Sequence, residues 1–132
     1  MLIGEYGHSI DLKGRMNFPA KMREDLGLRF IVVKGFGNPC LYVYSIEEWS
    51  KIESRIDTMP LAKAQQLQRF LSSSASEVEP DKQGRILIPL NLRNYAGLEQ
   101  SVTVIGASNR AEIWNTEKWD ELNKEITLEM FE

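Results

Sequence analysis

The sequence has a single cysteine, a single histidine and no long apolar run. Cys40 alone cannot build an internal disulfide framework, and its solitude fits a reducing compartment. His8 has no Cys/His cluster around it, so no metal site of the usual ligand spacing is expected. No stretch approaches the ~18–20 consecutive apolar residues of a membrane span. The opening "MLIGEYGHSI" lacks the basic and apolar regions of a secretory signal. A Gly-rich phosphate cradle is missing too, and no nucleophile motif surrounds His8, Cys40 or the serines. The expectation is a chain with no catalytic residue, no metal, no cofactor, no small-molecule substrate and no membrane partner.

An excess of positive charge is also lacking. The net charge is −3, which by itself argues against nucleic acid. The acids are unevenly placed. Glu112, Glu117, Asp120, Glu121, Glu125, Glu129 and Glu132 face only Lys118 and Lys124 in residues 112–132, which leaves residues 1–111 slightly basic. An acidic end on a basic body permits a local anion-binding face.

What is present is a sentence written twice. "DLKGRMNFPAKMR" at 11–23 and "DKQGRILIPLNLR" at 81–93 share Asp, Gly, Arg, Pro and Arg in one register. The offset of 70 holds without a gap to Trp49 and Trp119. Val32/Val102 and Glu47/Glu117 match, and Met16/Ile86, Phe18/Ile88 and Met22/Leu92 are similar. An internal duplication outranks any local reading.

Each copy reads as one supersecondary unit. Asp-x-x-Gly fits a type I turn with Asp first and Gly fourth. The next strand alternates, with Met16 and Phe18 on one side and Arg15 and Asn17 on the other. Pro19 opens a short helix and Gly27 closes it, with Pro89 and Gly97 in the same roles. "RFIVVKGF" and "LYVYS" predict a hairpin, repeated by "VTVIGASNRAEIW". Ser45 with Glu48 predicts a helix start, followed by a Trp49, Ile52, Ile56 stripe. Asn115 caps the counterpart, with Trp119, Leu122 and Ile126 as its stripe. Residues 60–71 predict a linking helix, and "SSSASEVE" a loop or strand. A unit of some forty residues is marginal for a core of its own. The two copies are therefore expected to interleave strands and share one core. The expected organisation is 1–57 and 77–132 as repeats, 58–76 as linker helix and loop, and one compact, β-rich α+β domain.

At "SIDLKGRMNFPAKMREDLG", "EVEPDKQGRILIPLNLRNYAGL" and "EIWNTEKW" the chain closely resembles the MraZ proteins of bacteria. Those are similar in turn to the AbrB-type regulators. The resemblance implies a pseudo-two-fold swapped-hairpin β-barrel, its halves supplied by the two repeats, with short flanking helices. It implies a DNA-binding transcriptional regulator of the division and cell-wall gene cluster, cytoplasmic and nucleoid-associated, with repression as the expected effect. The partners implied are double-stranded promoter DNA with short direct repeats, and further copies of the chain in a ring-shaped homo-oligomer. Asp11 and Arg15 match the family's first Asp-x-x-x-Arg motif, Lys13 its usual lysine, and Asp81 and Arg85 the second motif. Pro80 departs from the family's apolar strand residue and is expected to bend the strand entering the second loop.

The expected DNA-binding residues are thus Lys13, Gly14, Arg15, Lys82, Gln83 and Arg85, with Asp11, Asp81 and Gly84 ordering the loops. Arginine suits guanine O6/N7 or phosphate, and the lysines suit phosphate. The plain alternative is an Asp–Arg surface pair that only shapes a turn, contributing ~0–1 kcal/mol. Arg23 and Arg93 read as packed or salt-bridged helix arginines, Trp49 and Trp119 as core or interface anchors, and Cys40 as a small buried residue. A rival function is an antitoxin-like protein-interaction module, for which the acidic end "EITLEMFE" speaks.

Overall fold

A computed structural model describes residues 1–126 and 128–131. The first repeat runs β1 (Glu5–Ser9), β2 (Arg15–Asn17), α1 (Ala20–Leu26), β3 (Phe30–Lys34), β4 (Leu41–Ser45) and α2 (Ile46–Asp57). After α3 (Leu61–Ser74) the order recurs as β5 (Ser76–Val78), β6 (Arg85–Leu87), α4 (Leu90–Ala96), β7 (Ser101–Gly106), β8 (Ala111–Asn115) and α5 (Thr116–Lys124). A short 3-10 turn spans Leu128–Phe131. The fold is α+β with antiparallel pairing throughout.

The hairpin strands are almost uninterrupted apolar runs because both faces of their sheet are covered. Six strands lie in the order β1-β7-β8-β4-β3-β5, and β2 and β6 form a separate ribbon. On one face, Phe30, Val32, Leu41, Val43, Val102, Val104 and Ile113 pack against the ribbon and against α1 and α4, through Met16, Phe18, Met22, Ile86, Ile88 and Leu92. On the other face, Ile31, Val33, Tyr42 and Tyr44 meet Ile56 of α2 and Ala64 and Leu71 of α3.

The repeats exchange strands. β1 pairs with β7 of the second repeat, from Glu5 opposite Ile105 to Ser9 opposite Ser101. β5 pairs with β3 of the first, Phe30 facing Val78. β2 pairs with β6. Neither repeat completes a sheet from its own strands, as the small size of each unit requires. These ladders describe an open six-stranded sheet with β1 and β5 at its edges. Among the described residues, the bridge of Ile10 with Met16 links the ribbon to the end of β1.

Several local expectations hold. Ser45 Oγ accepts from Glu48 N at 3.1 Å, and Asn115 Oδ1 accepts from Lys118 N at 3.2 Å, so both caps form. Glu48 turns to Lys51 instead of closing a reciprocal box. Pro19 and Pro89 stand one residue earlier than expected, as N-caps. Ile126 does not extend the α5 stripe, because the helix ends at Lys124 and Ile126 is exposed. β1 has no counterpart among the expected strands. Its alternation is weak because Gly7 and His8 occupy its middle. Thr127 and Glu132, counted in the acidic end, lie outside the described residues.

Phe30 ties this arrangement together. It is fully buried, pairs with both Ser45 and Val78, and its ring lies 5.1 Å from that of Phe18. Phe30→Ala should destabilise the protein by about 3–5 kcal/mol, the usual cost of emptying an aromatic core site. Chemical denaturation measures this directly; a loss below ~1 kcal/mol would mean that Phe30 is not the joint between the repeats.

Candidate nucleic-acid interface

The Asp-x-x-Gly-Arg loops close in the same way in both repeats. Gly14 N donates to Asp11 O at 3.0 Å, and Asp11 N to Arg15 O at 2.9 Å. Gly84 N to Asp81 O and Asp81 N to Arg85 O both measure 2.9 Å. Gly14 and Gly84 sit at φ of 91° and 79°, in the left-handed region that side chains with a Cβ avoid.

The aspartate does more than start a turn. Asp11 Oδ1 accepts from the backbone N–H of Lys13 and of Arg15, both at 2.9 Å, and Oδ2 accepts from Arg15 Nε at 3.0 Å. Asp81 treats Gln83, Arg85 and Arg85 Nε in the same way, each at 2.9 Å. The Arg15 N–H, above all, holds the Asp11 carboxyl below its ordinary pKa, and that of Arg85 does so for Asp81. In stability the exposed ion pairs count for little. Their effect is geometric, because Nε is anchored while the Nη groups of Arg15 and Arg85 bond to nothing among the described residues. Pro80 lies beyond the end of β5 and leaves the second loop's bonds equal to the first's, so the expected distortion of that loop is not seen.

The ribbon unites the two loops. Arg15 faces Leu87, Met16 faces Ile86, and Asn17 faces Arg85. Met16 and Ile86 are buried toward the core, so by alternation Arg15, Asn17, Arg85 and Leu87 share the outer face. Arg15 and Arg85 are diagonal neighbours there, a relation that spaces backbones by ~7–8 Å. Lys13, Lys82 and Gln83 are exposed at the loop tips, as is Leu12, which is fully exposed. Arg15 and Arg85 thus come to one face, Lys13, Lys82 and Gln83 are exposed in the loops that lead into it, and Gly14 and Gly84 are buried. Leu87, more than half exposed between the arginines, was not singled out from the sequence. Its signal was the alternation that also places Arg85.

Arg23 and Arg93 prove to be packed, not salt-bridged: neither has a carboxylate partner among the described residues. Trp49 lies 6.1 Å from Tyr44, and Trp119 lies 5.9 Å from Trp114 and donates to Glu5 at 2.9 Å. Cys40 is buried, and burial pushes its thiol far above the ordinary range. No metal-holding group of three or more His, Cys, Asp or Glu occurs among the described residues, and no helix among them is long and apolar enough to cross a membrane.

The profile of one family, described as "MraZ protein, putative antitoxin-like", matches residues 1–70 and again 71–132. The chain belongs to the MraZ family. Proteins called "Transcriptional regulator MraZ" are similar to it over nearly its whole length. That of Thermoanaerobacter sp. (strain X514) is 51% identical, covering 98% of this chain and 92% of its own. That of Acetivibrio thermocellus is 52% identical over 91% and 85%, and that of Syntrophomonas wolfei 45% over 94% and 87%. The family profile falls once on each half, in keeping with the duplication read from the doubled motif.

The loop carboxylates give a pH prediction. A folded pKa below the unfolded value means that the stabilisation is complete above the ordinary carboxylate range and is lost as pH falls through the lowered native value. Asp11 and Asp81 should therefore titrate below the ordinary 3.8, and the loops should stay ordered from pH 5 to 8. Carboxyl carbon resonances followed through acid titration report this; midpoints at or above the ordinary value would mean that the side-chain clamp is absent in solution.

Proposed function

We propose that this protein is a sequence-specific DNA-binding transcriptional regulator, with the β2–β6 ribbon as its reading surface. The observation that carries the reading is the pair of arginines on one outward face, each held at Nε by its own aspartate and free at Nη among the described residues. A two-stranded ribbon fits the major groove, and a guanidinium fork suits guanine O6/N7 there. Lys13 and Lys82 at the tips are placed for phosphate, which fixes register without reading sequence. Leu87 offers an apolar contact of the kind made to a thymine methyl. The names of the related regulators support the same conclusion.

The finer reading follows the family resemblance. Residues 1–57 and 77–132, linked by 58–76, act as one compact domain whose exchanged strands correspond to a swapped-hairpin barrel. The protein works in the cytoplasm on the nucleoid and represses its division and cell-wall gene cluster by binding short promoter repeats. One ribbon offers few base contacts, so affinity comes from several protomers of a ring binding adjacent repeats together. The helices support assembly: α3 covers the apolar stripe of α2, whereas on α5 Leu122 is left exposed. A head-to-tail contact on that stripe would extend to a ring. Light scattering at micromolar concentration should report an oligomer larger than a dimer; a monomer would remove the ring.

The antitoxin-like reading has one observation in its favour, the exposed Leu128, Met130 and Phe131 at the acidic end. Purified chain, free of any other protein, that fails to shift DNA from upstream of its own gene would favour it.

The direct test separates base contacts from phosphate contacts. Arg15→Ala should keep the melting temperature yet lose about 1–3 kcal/mol of discrimination per protomer, which nearly abolishes specific binding in a multi-protomer complex. Arg85→Ala should do the same, because the two loops are built alike. Lys13→Ala should weaken cognate and scrambled DNA equally and lower the log–log salt slope by about 0.9 per protomer. Wild-type affinity of Arg15→Ala for cognate DNA would reduce the loops to a turn device.

A further inference from the structure

Gly14 and Gly84 are buried although they occupy the tips of exposed turns. The helix arginine of the opposite repeat lies against each of them, beside the Ile88 carbonyl oxygen at Gly14 and alone at Gly84. A Cβ built on Gly14 would stand 2.7 Å from Arg93 Nε and 2.9 Å from Arg93 Cζ. One built on Gly84 would stand 2.9 Å from an Arg23 Nη and 3.0 Å from Arg23 Cζ. A side chain at either glycine would displace the guanidinium that now lies against it.

The contact is part of a closed circuit. Gly14 O accepts from Ile88 N at 2.8 Å, and Ile88 O accepts from Arg93 Nε at 2.9 Å. Arg93 also lies against Gly14, so two hydrogen bonds and one packing contact join strand, helix and opposite loop. The other side is incomplete. Gly84 O accepts from Phe18 N at 3.0 Å, but Arg23 Nε is buried with no hydrogen-bond partner among the described residues.

We propose that Arg93 and Arg23 are positioning residues that act across the repeats: Arg93 sets the height and aim of the Asp11–Arg15 loop, and Arg23 those of the Asp81–Arg85 loop. A flat guanidinium against a glycine peptide fixes how far the loop rises from the ribbon. The direction of the Arg15 or Arg85 fork depends on that height. A lysine cannot replace this plate, because its ammonium is a point charge without the planar shape or the Nε donor. The two loops carry the same bonds of their own, but the second has no arginine bond to the strand beside it, so Arg23 supports it by packing alone. The effect on DNA rests on the function proposed above, whereas the effect on the loops does not.

The test uses the full-length protein with Arg93→Met, Arg23→Met and the charge-keeping Arg93→Lys, each with a melting curve. If Arg93→Met fails to fold, Arg93→Lys carries the test. Hydrogen exchange at the Lys13, Gly14 and Arg15 amides should speed up at least tenfold in the Arg93 variants, while Gln83, Gly84 and Arg85 stay unchanged. Arg23→Met should show the reverse, with a smaller change. Exchange that rises in the variant's own repeat, or equally in both loops, overturns the proposal.

Binding to cognate DNA at low salt adds a double-mutant cycle. Arg93→Met should weaken binding about tenfold in the otherwise wild-type protein and little in an Arg15→Ala background, whose residual binding low salt keeps measurable, since its effect passes through Arg15. Equal loss in both backgrounds refutes the crossed assignment. So does a salt slope about 0.9 smaller with unchanged loop exchange, which would mark direct phosphate contact. If Arg15→Ala and Arg85→Ala both bind like wild type, the DNA-reading function fails, and amide exchange alone decides the positioning role.

Discussion

The pairing of β2 with β6 is the constraint on which the rest depends. Each is a three-residue strand, too short to persist alone. Together they present one apolar side, Met16 and Ile86, to the core and turn Arg15, Asn17, Arg85 and Leu87 to solvent. That single ladder brings the two loops onto one surface, positions the two arginines as diagonal neighbours, and leads into the α1 and α4 turns whose Met22 and Leu92 seal the same core. A residue that upset the ribbon would lose both loops at once.

Strand exchange is the corollary. An edge strand needs a partner, and β1 and β5 each find it in the other repeat. The loops follow directly after these strands, so each loop is hung between its own repeat's ribbon strand and a sheet edge built largely from the other. The doubled motif is thus two halves of one surface, not two independent modules. The arginines beneath the glycines extend the same exchange to side chains.

The buried charges obey the same economy. Glu112 is buried, and it is satisfied by Arg110 at 2.8 Å and by Trp114 Nε1 at 2.9 Å. The Arg110 guanidinium in turn rests 4.4 Å over the Tyr42 ring. This network joins β8 to β4 across the repeats and explains a carboxylate inside an otherwise apolar strand. It is structural chemistry, whereas the Nη groups of Arg15 and Arg85 bond to nothing among the described residues.

Much was legible in the residue order. The 70-residue offset, the Asp and Gly of each turn, the alternation at Met16 and Phe18, and the caps at Ser45 and Asn115 are local or periodic signals. Asp11 and Asp81 each accept from backbone N–H groups of their own loop, contacts between residues two to four apart. Other features were not legible. β1 lacks a clean alternation, and it is a strand because β7 lies beside it. Pro80 has no effect on the loop because β5 stops before it, a length set by pairing with β3. Arg23 and Arg93 recur as strictly as the loop arginines, yet nothing in their spacing says that each lies under the other repeat's glycine. Sequence by itself determined the turn chemistry, the helix starts and the existence of a shared core, since these rest on contacts within a few residues or on composition. Only the tertiary structure decided which strand partners which, which face carries both arginines, and what supports each loop, because those contacts join residues about seventy positions apart and form only when the two repeats close on each other.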